Sequence, residues 1–308
     1  MSSFLNQIIN DDCLNFLPKI EPKLVDMALY DIPYYTSKPR TFTFEKRGRN
    51  AHKPYSTAMG EWDQFNSEQD YFKWVQELLT LTLPALKENG ALYLFCKDGY
   101  ISTFKKLLGE IGYLFKSIIV WHKQNPMLNI MHLNYTTACE WQLFALRNDK
   151  NPKSTPRIFN WLPQKAIRFP KSQFPKEPPF LIHMHNFVEA SICMKPERII
   201  DRQGNVIHKT QKPIEILLRP ILVSSNKQGI ILDATCGMGS TCEASKLLRR
   251  NYIGCEKNPL FYDYATKRLN RKLPHYHLSA RLQYIIQKLT APPSYQHKLT
   301  NYIIGRNG

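Results

Sequence analysis

The chain has 308 residues, of which 43% are hydrophobic, 12% aromatic and 22% charged, an ordinary composition for a globular protein. Its 42 Lys and Arg residues outnumber 25 Asp and Glu residues and give a net charge of +17. Such a charge favours a polyanionic partner through counterion release and electrostatic steering. A basic surface that serves only solubility is the alternative. No polybasic cluster beside an apolar stretch supports a membrane as partner.

The seven cysteines are scattered and form no C-x-x-C pair. This pattern predicts neither a disulfide framework nor a metal site and is typical of a reducing compartment. The sequence shows no signal peptide and no long uncharged apolar segment. We therefore expect a cytoplasmic protein.

The first half of the chain alternates predicted strands and helices. Its predicted elements are strand 7–10, helix 13–20, strand 24–31, helix 69–87, strand 90–96, helix 100–108 and strands 117–121 and 141–146. The helix over 69–87 is predicted because apolar residues such as Val75, Leu78 and Leu79 recur at helical spacing.

Residues 149–205 interrupt this alternation with eight prolines. Basic and aromatic residues are interleaved there, and acidic residues are few. We interpret this segment as an inserted, loop-rich recognition region. A flexible linker is the alternative, which the aromatic content disfavours.

A second strand–helix–strand unit follows near the carboxyl end of the chain. It has a strand over 229–233, a glycine turn, a helix that ends near 249–250, a strand over 252–256 and a further helix through Leu269. Strands that alternate with helices predict an α/β fold, with a mostly parallel, doubly wound sheet covered on both faces.

Gly237 and Gly239 follow a predicted strand and precede a predicted helix. Glycines allow a tight turn and a close approach to a ligand, and a helix N-terminus favours negative groups. Cys242 stands where the dinucleotide fingerprint has its third glycine. Glu256 ends the next strand, where dinucleotide folds place an acceptor for ribose hydroxyls. The pattern predicts a nucleoside-containing cofactor, or else a glycine turn beside a surface acid.

Asp31, Ile32, Pro33 and Tyr34 combine groups that suit one flat base. The carboxylate can accept hydrogen bonds from an exocyclic amine. Pro33 fixes its own φ and keeps Ile32 extended, so that the Ile32 carbonyl can point outward. The Tyr34 ring offers a stacking face. The alternative is an Asp-Pro turn that leaves a strand.

A polar segment, His208–Pro213, precedes an apolar helical pattern from Ile214 to Ile221. Thr210 is a candidate cap for the helix that begins near Pro213. That capping role is compatible with ligand contacts from Gln211 and Lys212.

Together these motifs resemble those of S-adenosylmethionine-dependent amino-methyltransferases that act on DNA. Asp31–Tyr34 is similar to the family's Asp-Pro-Pro-Tyr signature, His208–Pro213 to its His-Pro-Thr-Gln-Lys-Pro element, and Asp233–Thr241 to its Asp-Pro-Phe-x-Gly-Ser-Gly-Thr-Thr loop. Segments 60–63 and 121–123 also resemble segments of this family. The order of signature, insert and glycine loop resembles the family's permuted beta group, and the resemblance covers roughly residues 5–270.

The chain departs from the family pattern at several positions, which include Lys209, Ala234 and Met238. Ile32 replaces the first proline of the signature, but the family uses the backbone carbonyl of that residue. Thr235 replaces an aromatic residue, which affects the packing expected over the methionine part of the cofactor.

The resemblance implies a Rossmann-like methyltransferase that moves a methyl group from S-adenosyl-L-methionine to N6 of adenine in a flipped-out base. Asp31 and the Ile32 carbonyl would hold the amine, and Tyr34 would stack on the base. The implied cofactor residues are Asp12, Thr210, Gln211, Lys212, Asp233, Gly237, Gly239, Ser240 and Glu256. Asp12 corresponds to a contact with the cofactor's adenine, and an ordinary helix cap before Cys13 explains it nearly as well. Gln211 and Lys212 are expected near the methionine carboxylate, and Glu256 at the ribose.

The same resemblance divides the chain into a catalytic half (1–148), a target-recognition insert (149–205), a cofactor-binding half (206–272) and a C-terminal extension (273–308). Double-stranded DNA is the expected partner, associated with a nucleoid location, and a homodimer and a cognate restriction endonuclease are left open. Basic loops are expected to hold the DNA backbone, namely the insert and the loop with Lys46, Arg47, Arg49 and Lys53.

Four other functions are alternatives to adenine-N6 methylation of DNA. Cytosine-N4 methylation uses the same chemistry, but such enzymes usually open the signature with Ser. Many RNA base methyltransferases place the glycine loop before the signature, opposite to this chain. A dehydrogenase is disfavoured by the missing third glycine, and a non-catalytic DNA-binding subunit by the presence of Asp31, Pro33 and Tyr34.

Overall fold

A computed structural model of the protein describes residues 3–36, 41–42, 55–56, 61–127, 135–148, 158–160 and 185–271. The basic loop around Arg47, most of the predicted insert and the C-terminal extension lie outside the described residues. Within the described part, no helix combines the length and apolar character needed to span a membrane.

The elements follow the predicted order. The strands are β1 (Gln7–Ile9), β2 (Val25–Asp31), β3 (Thr41–Phe42), β4 (Tyr55–Ser56), β5 (Leu86–Cys96), β6 (Tyr113–Lys123), β7 (Cys139–Arg147), β8 (Phe187–Ala190), β9 (Ile230–Asp233) and β10 (Asn251–Cys255). The α-helices are α1 (Cys13–Phe16), α2 (Glu68–Ala85), α3 (Ile101–Ile111), α4 (Ile214–Ser224), α5 (Ser240–Leu247) and α6 (Pro259–Asn270). Short 3-10 turns lie at Leu17–Lys19, Glu61–Asp63 and Asp98–Tyr100.

Two predicted helices end earlier than expected. The helix predicted over 13–20 is α-helical only to Phe16 and continues as a 3-10 turn around Pro18, which lacks the N–H that an α-helix needs there. Helix α2 ends at Ala85, and β5 begins at the next residue, before the predicted turn at Asn89. Asn89 still adopts a left-handed conformation with φ of 56°.

Eight strands form one sheet in the order β1-β10-β9-β2-β5-β7-β6-β8. Neighbours from β1 through β5 are parallel, whereas β7 runs antiparallel to both β5 and β6. The mostly parallel α/β sheet predicted from the sequence is therefore confirmed. Strand β8 pairs parallel with β6, so the sheet extends into the segment that the sequence analysis assigned to the insert.

The central strand β2 is buried on both sides. Its side chains alternate between two cores, with Ala28 and Tyr30 in one and Met27 and Leu29 in the other. Helices α1, α2 and α3 cover the first face, and α4 and α5 cover the second. This burial explains the continuous apolar run of β2, because a parallel strand between two helical layers has no solvent face.

The carboxyl ends of β2 and β9 lie side by side at the same edge of the sheet, since these strands are parallel neighbours with Met27 opposite Ile231. Asp31 ends β2 and Asp233 ends β9. In open α/β sheets this edge is where ligands bind. The topology thus brings together the two motifs that the sequence separates by about two hundred positions.

Candidate active site

A cavity of about 1360 Å³ opens at this edge of the sheet. Twelve of the thirteen residues predicted for the site line it, namely Asp12, Asp31, Ile32, Pro33, Tyr34, Thr210, Gln211, Lys212, Asp233, Gly237, Ser240 and Glu256. The thirteenth predicted residue, Gly239, does not line the cavity. The loop that follows β2 and the glycine turn that follows β9 therefore line one cleft.

A network of charges occupies the end of the cavity formed by β2. The Lys212 Nζ atom lies 2.7 Å from Asp31 Oδ1 and 3.2 Å from Glu140 Oε2. Lys123 Nζ approaches Glu140 Oε1 at 3.0 Å. The Tyr34 hydroxyl donates to Glu140 Oε2 over 3.0 Å. Two carboxylates and two ammonium groups thus balance one another around the Tyr34 ring.

Burial and pairing act against each other in this network. Burial raises the pKa of Asp31, and Lys212 only partly opposes that shift. Burial also works against the ionisation of Glu140, but Lys212 and Lys123 outweigh it and hold the Glu140 pKa below its usual value. The pKa of Lys212 is raised, because the two carboxylates outweigh the cost of burying the ammonium.

The loop that follows β2 is held by Asp63. Its carboxylate accepts hydrogen bonds from the backbone N–H groups of Tyr34, Tyr35 and Thr36 at 2.7, 2.9 and 3.0 Å, and from the Thr36 hydroxyl. Asp63 is only 5% exposed, so these protein donors largely replace water as its hydrogen-bond partners. The geometry sets the direction in which the Tyr34 side chain leaves the backbone.

The glycine turn after β9 is held by Glu256. Gly237 has φ of 51°, a conformation that favours glycine, and its N–H donates to Glu256 Oε2 over 2.8 Å. The second oxygen accepts from the Asn258 N–H at 2.8 Å. Burial raises the pKa of Glu256. A carboxylate can accept about four hydrogen bonds, so the predicted ribose contact is compatible with these bonds.

Asp233 is a buried carboxyl beside the glycine turn. Burial raises its pKa to about 7, with the Asp31 and Glu256 charges adding to the shift. Hydrogen bonds from the Thr241 side chain and the Thr235 N–H oppose it. A carboxyl with such a perturbed pKa in a cleft is typical of a ligand-binding site.

Gly239 lies behind the cavity and packs against α6. Its φ is 71°, and an added Cβ would lie 3.2 Å from the Ala265 Cβ. The buried guanidinium of Arg268 supports the same loop, since it donates to the Met238 carbonyl at 3.1 Å and to the Ser240 hydroxyl at 2.9 Å. The structure thus gives Gly239 a packing role, and Ser240 both lines the cavity and contacts Arg268.

Asp12 has the capping role that the sequence allowed. Its side chain accepts from the Leu14 N–H at 2.9 Å at the start of α1, and it pairs with Lys257 Nζ at 2.9 Å. Asp12 also lines the cavity, so the predicted contact with a cofactor adenine remains a prediction.

The expectation that Thr210 caps α4 is wrong. The N–H of Ile214 is bound instead by Glu197 Oε1 at 2.7 Å, and the Thr210 hydroxyl lies 3.4 Å from His208 Nδ1. Thr210 is too early in the chain, because α4 begins only at Ile214 after an extended Pro213.

Gln211 is tied to the segment that precedes it. Its amide oxygen accepts from the Ile199 N–H at 3.0 Å, and its amide nitrogen donates to the Glu197 carbonyl at 3.2 Å. Lys212 faces Asp31 rather than the glycine turn. The prediction that both contact a methionine carboxylate therefore stays a prediction. Within the protein, Gln211 holds the preceding segment in place, and Lys212 pairs with a carboxylate at the Asp31 end of the cavity.

An aromatic group stands over the glycine turn. The rings of Trp62 and His208 are stacked with centroids 5.0 Å apart, and Phe261 meets His208 edge-on at 4.9 Å. Burial, with a contribution from Lys212, lowers the pKa of His208 to about 4, so the imidazole is neutral at neutral pH. These rings supply apolar surface near the position where Thr235 replaces the family's aromatic residue.

Sequence reasoning missed Glu140 as a member of the site. Its signal was an acid at the start of an otherwise apolar strand. Asp63 lay in a segment that looked familiar without an assigned role. Both were hard to assign because their partners are distant in sequence, 106 residues for Tyr34 with Glu140 and 29 for Tyr34 with Asp63.

The cavity therefore has two chemically different ends. One presents a carboxylate and an aromatic ring, which suit a planar amine-bearing group. The other presents a glycine turn with a buried carboxyl, Asp233, and a half-buried one, Glu256, which suit ammonium and hydroxyl groups. Among the described residues, no three His, Cys, Asp or Glu side chains are grouped so that they could hold a metal ion.

Known methyltransferases are similar to this chain in sequence. The chain is 29% identical over 282 residues to the Type II methyltransferase M.HinfI of Haemophilus influenzae, which covers 89% of this chain and 71% of that protein. It is 29% identical over 267 residues to the Type II methyltransferase M2.MboI of Moraxella bovis, covering 87% and 88% respectively.

Solved structures agree in fold. The crystal structure of the M1.HpyAVI-SAM complex is 23% identical with a TM-score of 0.58, covering 86% of this chain and 99% of that one. The PvuII DNA methyltransferase (cytosine-N4-specific) is 12% identical with a TM-score of 0.57, covering 92% of this chain and 94% of that one.

The family itself is identified by a sequence model described as DNA methylase, N6_N4_Mtase, which matches residues 25–267. That match spans most of the chain and includes both the Asp31 and the Gly237 ends of the cavity. The protein therefore belongs to the N6_N4_Mtase family of DNA methylases.

Proposed function

We propose that this protein transfers a methyl group from S-adenosyl-L-methionine to N6 of adenine in duplex DNA. The observation that carries the proposal is the single cavity that joins the Asp31–Tyr34 loop to the Gly237 turn. A methyl donor and an acceptor base must meet within one cleft, and this cleft offers suitable groups at each end.

The acceptor end suits an exocyclic amine. That nitrogen is a poor nucleophile because its lone pair is delocalised into the ring. The Asp31 carboxylate and the Ile32 carbonyl would accept hydrogen bonds from its two N–H groups, and the Tyr34 ring would stack on the base. The Asp31 charge would stabilise the cationic amine that develops, and the fixed geometry would supply rate through proximity.

The residues at the other end fit the cofactor. Asp233 would bind the cationic amino group of the methionine part, and Glu256 would bind the ribose hydroxyls. Gly237 leaves the backbone accessible beside them, and the rings of Trp62 and His208 offer apolar surface. The bound cofactor supplies an activated methyl on a sulfonium, while the protein contributes orientation and charge.

The target base must leave the DNA stack to reach Asp31, at a cost of about a few kcal/mol. The net charge of +17 supports backbone contacts that repay this cost. Partnership with a restriction endonuclease, homodimer formation and a nucleoid location stay predictions, as does the division of the chain into halves, insert and extension.

Cytosine-N4 methylation is the second candidate, since the cytosine-N4-specific PvuII DNA methyltransferase has a similar fold. Asp31 favours adenine, because enzymes of the resembled family that act on cytosine usually have Ser at the matching position. Mapping methylated positions in DNA from cells that express the protein would decide between N6-methyladenine and N4-methylcytosine and reveal the target sequence.

The role of Asp31 can be tested by the Asp31→Ala variant. It should bind S-adenosylmethionine as the wild type does and lose DNA methylation, because Asp31 lies at the acceptor end of the cavity. Cofactor affinity is measured by calorimetry, and turnover by transfer of a radiolabelled methyl group. Turnover within about tenfold of wild type, set against the 10²–10⁴ usual for such groups, would remove Asp31 from the mechanism.

A further inference from the structure

Glu140 is a carboxylate placed where an apolar strand would favour a hydrophobic residue. It sits near the start of β7, opposite the buried Trp121 of β6. Its side chain is 18% exposed, and burial alone would disfavour its ionised form. Such a charge is retained in a protein interior only when nearby groups compensate it.

Three groups converge on this carboxylate. Lys123 approaches one oxygen at 3.0 Å, while the Tyr34 hydroxyl and Lys212 share the other at 3.0 and 3.2 Å. Tyr34 belongs to the loop that follows β2 (residues 32–36), here called the acceptor loop, and Lys212 is also 2.7 Å from Asp31. Glu140 thus contacts two groups that adjoin the proposed amine acceptor without contacting Asp31 itself.

The Lys212 ammonium is placed between two carboxylates. It also lies 5.0 Å from the centre of the Tyr34 ring and 5.3 Å from that of Phe95, in a site where its side chain is only 6% exposed. If Glu140 were neutral, Asp31 would be the remaining carboxylate partner of Lys212 among the contacts described. Lys212 would then compete directly with an incoming amine for Asp31.

We propose that Glu140 is a positioning residue for methyl transfer. It fixes the Tyr34 ring by accepting a hydrogen bond from the Tyr34 hydroxyl, and it shares the Lys212 ammonium with Asp31, so that Asp31 can accept a hydrogen bond from the amine. This inference rests on the proposed function and adds to it a second carboxylate. When the amine binds, Lys212 retains a counter-ion in Glu140 and need not leave its buried site. Glu140 acts through Tyr34 and Lys212, so its loss should affect the chemical step more than cofactor binding.

The test compares Glu140→Gln, Tyr34→Phe and the double variant with the wild type. Glu140→Gln keeps the size of the side chain and removes its charge, and Tyr34→Phe removes only the hydroxyl. Glu110→Gln is the matched control, because Glu110 is an exposed carboxylate on α3 that pairs with Lys106. The measurements are kcat with duplex DNA, KM for DNA and the dissociation constant of S-adenosylmethionine.

We expect Glu140→Gln to lower kcat by about 10- to 100-fold, the range for loss of a hydrogen bond to a charged group, with cofactor affinity within about twofold of wild type. The double variant should lose less than the product of the two single losses, because both changes remove the same contact. Glu110→Gln should match the wild type. A residue that only supports folding would instead give multiplicative losses and weaker cofactor binding.

Two results separate this inference from the proposed function. A wild-type protein that methylates no DNA refutes the function. A wild-type protein that methylates DNA, with Glu140→Gln within about twofold of it or with multiplicative losses, overturns only the role of Glu140. If Glu140→Gln does not fold, Glu140→Asp decides, since its shorter side chain cannot reach Tyr34 and Lys212 together. An Asp variant with wild-type kcat would equally overturn the inference.

Discussion

Replacing Asp63 should disable the acceptor loop although Asp63 lies outside it. Its buried carboxylate accepts three backbone N–H bonds from Tyr34, Tyr35 and Thr36. Hydrogen bonds to a charged group contribute about 1.5–3 kcal/mol each. Because the three donors are only half-buried, water would replace part of that energy. We therefore expect Asp63→Ala to lower the free energy of unfolding by about 2–3 kcal/mol, well below the sum of the three bonds.

The same change should reduce catalysis more than stability alone predicts. A displacement of the loop by about 1 Å can lower kcat by about 100-fold, because Tyr34 and Asp31 would no longer meet the amine correctly. Thermal unfolding should show Tm lower by about 3–5 °C for a chain of this size. Radiolabelled methyl transfer below the lower Tm measures kcat. Asp263→Asn, an exposed carboxylate on α6, serves as the matched control.

One outcome would refute this reasoning. If Asp63→Ala kept kcat within about twofold while Tm fell as expected, Asp63 would stabilise the protein without orienting the loop. The hydrogen bond of 2.7 Å from the Tyr71 hydroxyl to the Pro33 carbonyl would then be sufficient to hold it.

Two further predictions follow from the glycine turn and its neighbours. Asp233 has a pKa of about 7 and would bind the cofactor's ammonium when ionised, so affinity should weaken as pH falls through 7, by about tenfold from pH 8 to pH 6. Calorimetry at each pH measures this, and Asp233→Asn should flatten the dependence between pH 8 and pH 6 and leave only the contribution of Glu256, whose pKa burial also raises. Gly254→Ala should lower stability by about 1–3 kcal/mol, since its Cβ would lie 2.9 Å from Ile8 Cγ1 and 3.0 Å from Cys242 Sγ. Denaturant unfolding checks it, and Gly99→Ala, whose Cβ would meet nothing within 4 Å, should be neutral. Equal stability of the two alanine variants would contradict the packing argument.

Much of the fold was predictable because its signals are local. A continuous apolar run predicted β2, the helical spacing of apolar residues predicted α2, and the glycines at 237 and 239 predicted a turn between β9 and α5. Boundaries shifted where a local signal was weak, as at the direct passage from α2 into β5. The antiparallel course of β7 left no sequence signal, because the same apolar strand suits either direction.

The candidate site was likewise predictable from the sequence only in part. The sequence by itself determined which residues could bind a base or a nucleoside, since Asp31, Tyr34 and Gly237 carry that chemistry in short motifs. Only the tertiary structure decided that Glu140 shares Lys212 with Asp31, and that Asp63 holds the acceptor loop. Those pairings depend on which strands are neighbours in the sheet and where their ends meet, and no short stretch of sequence encodes the distance between side chains that far apart in the chain.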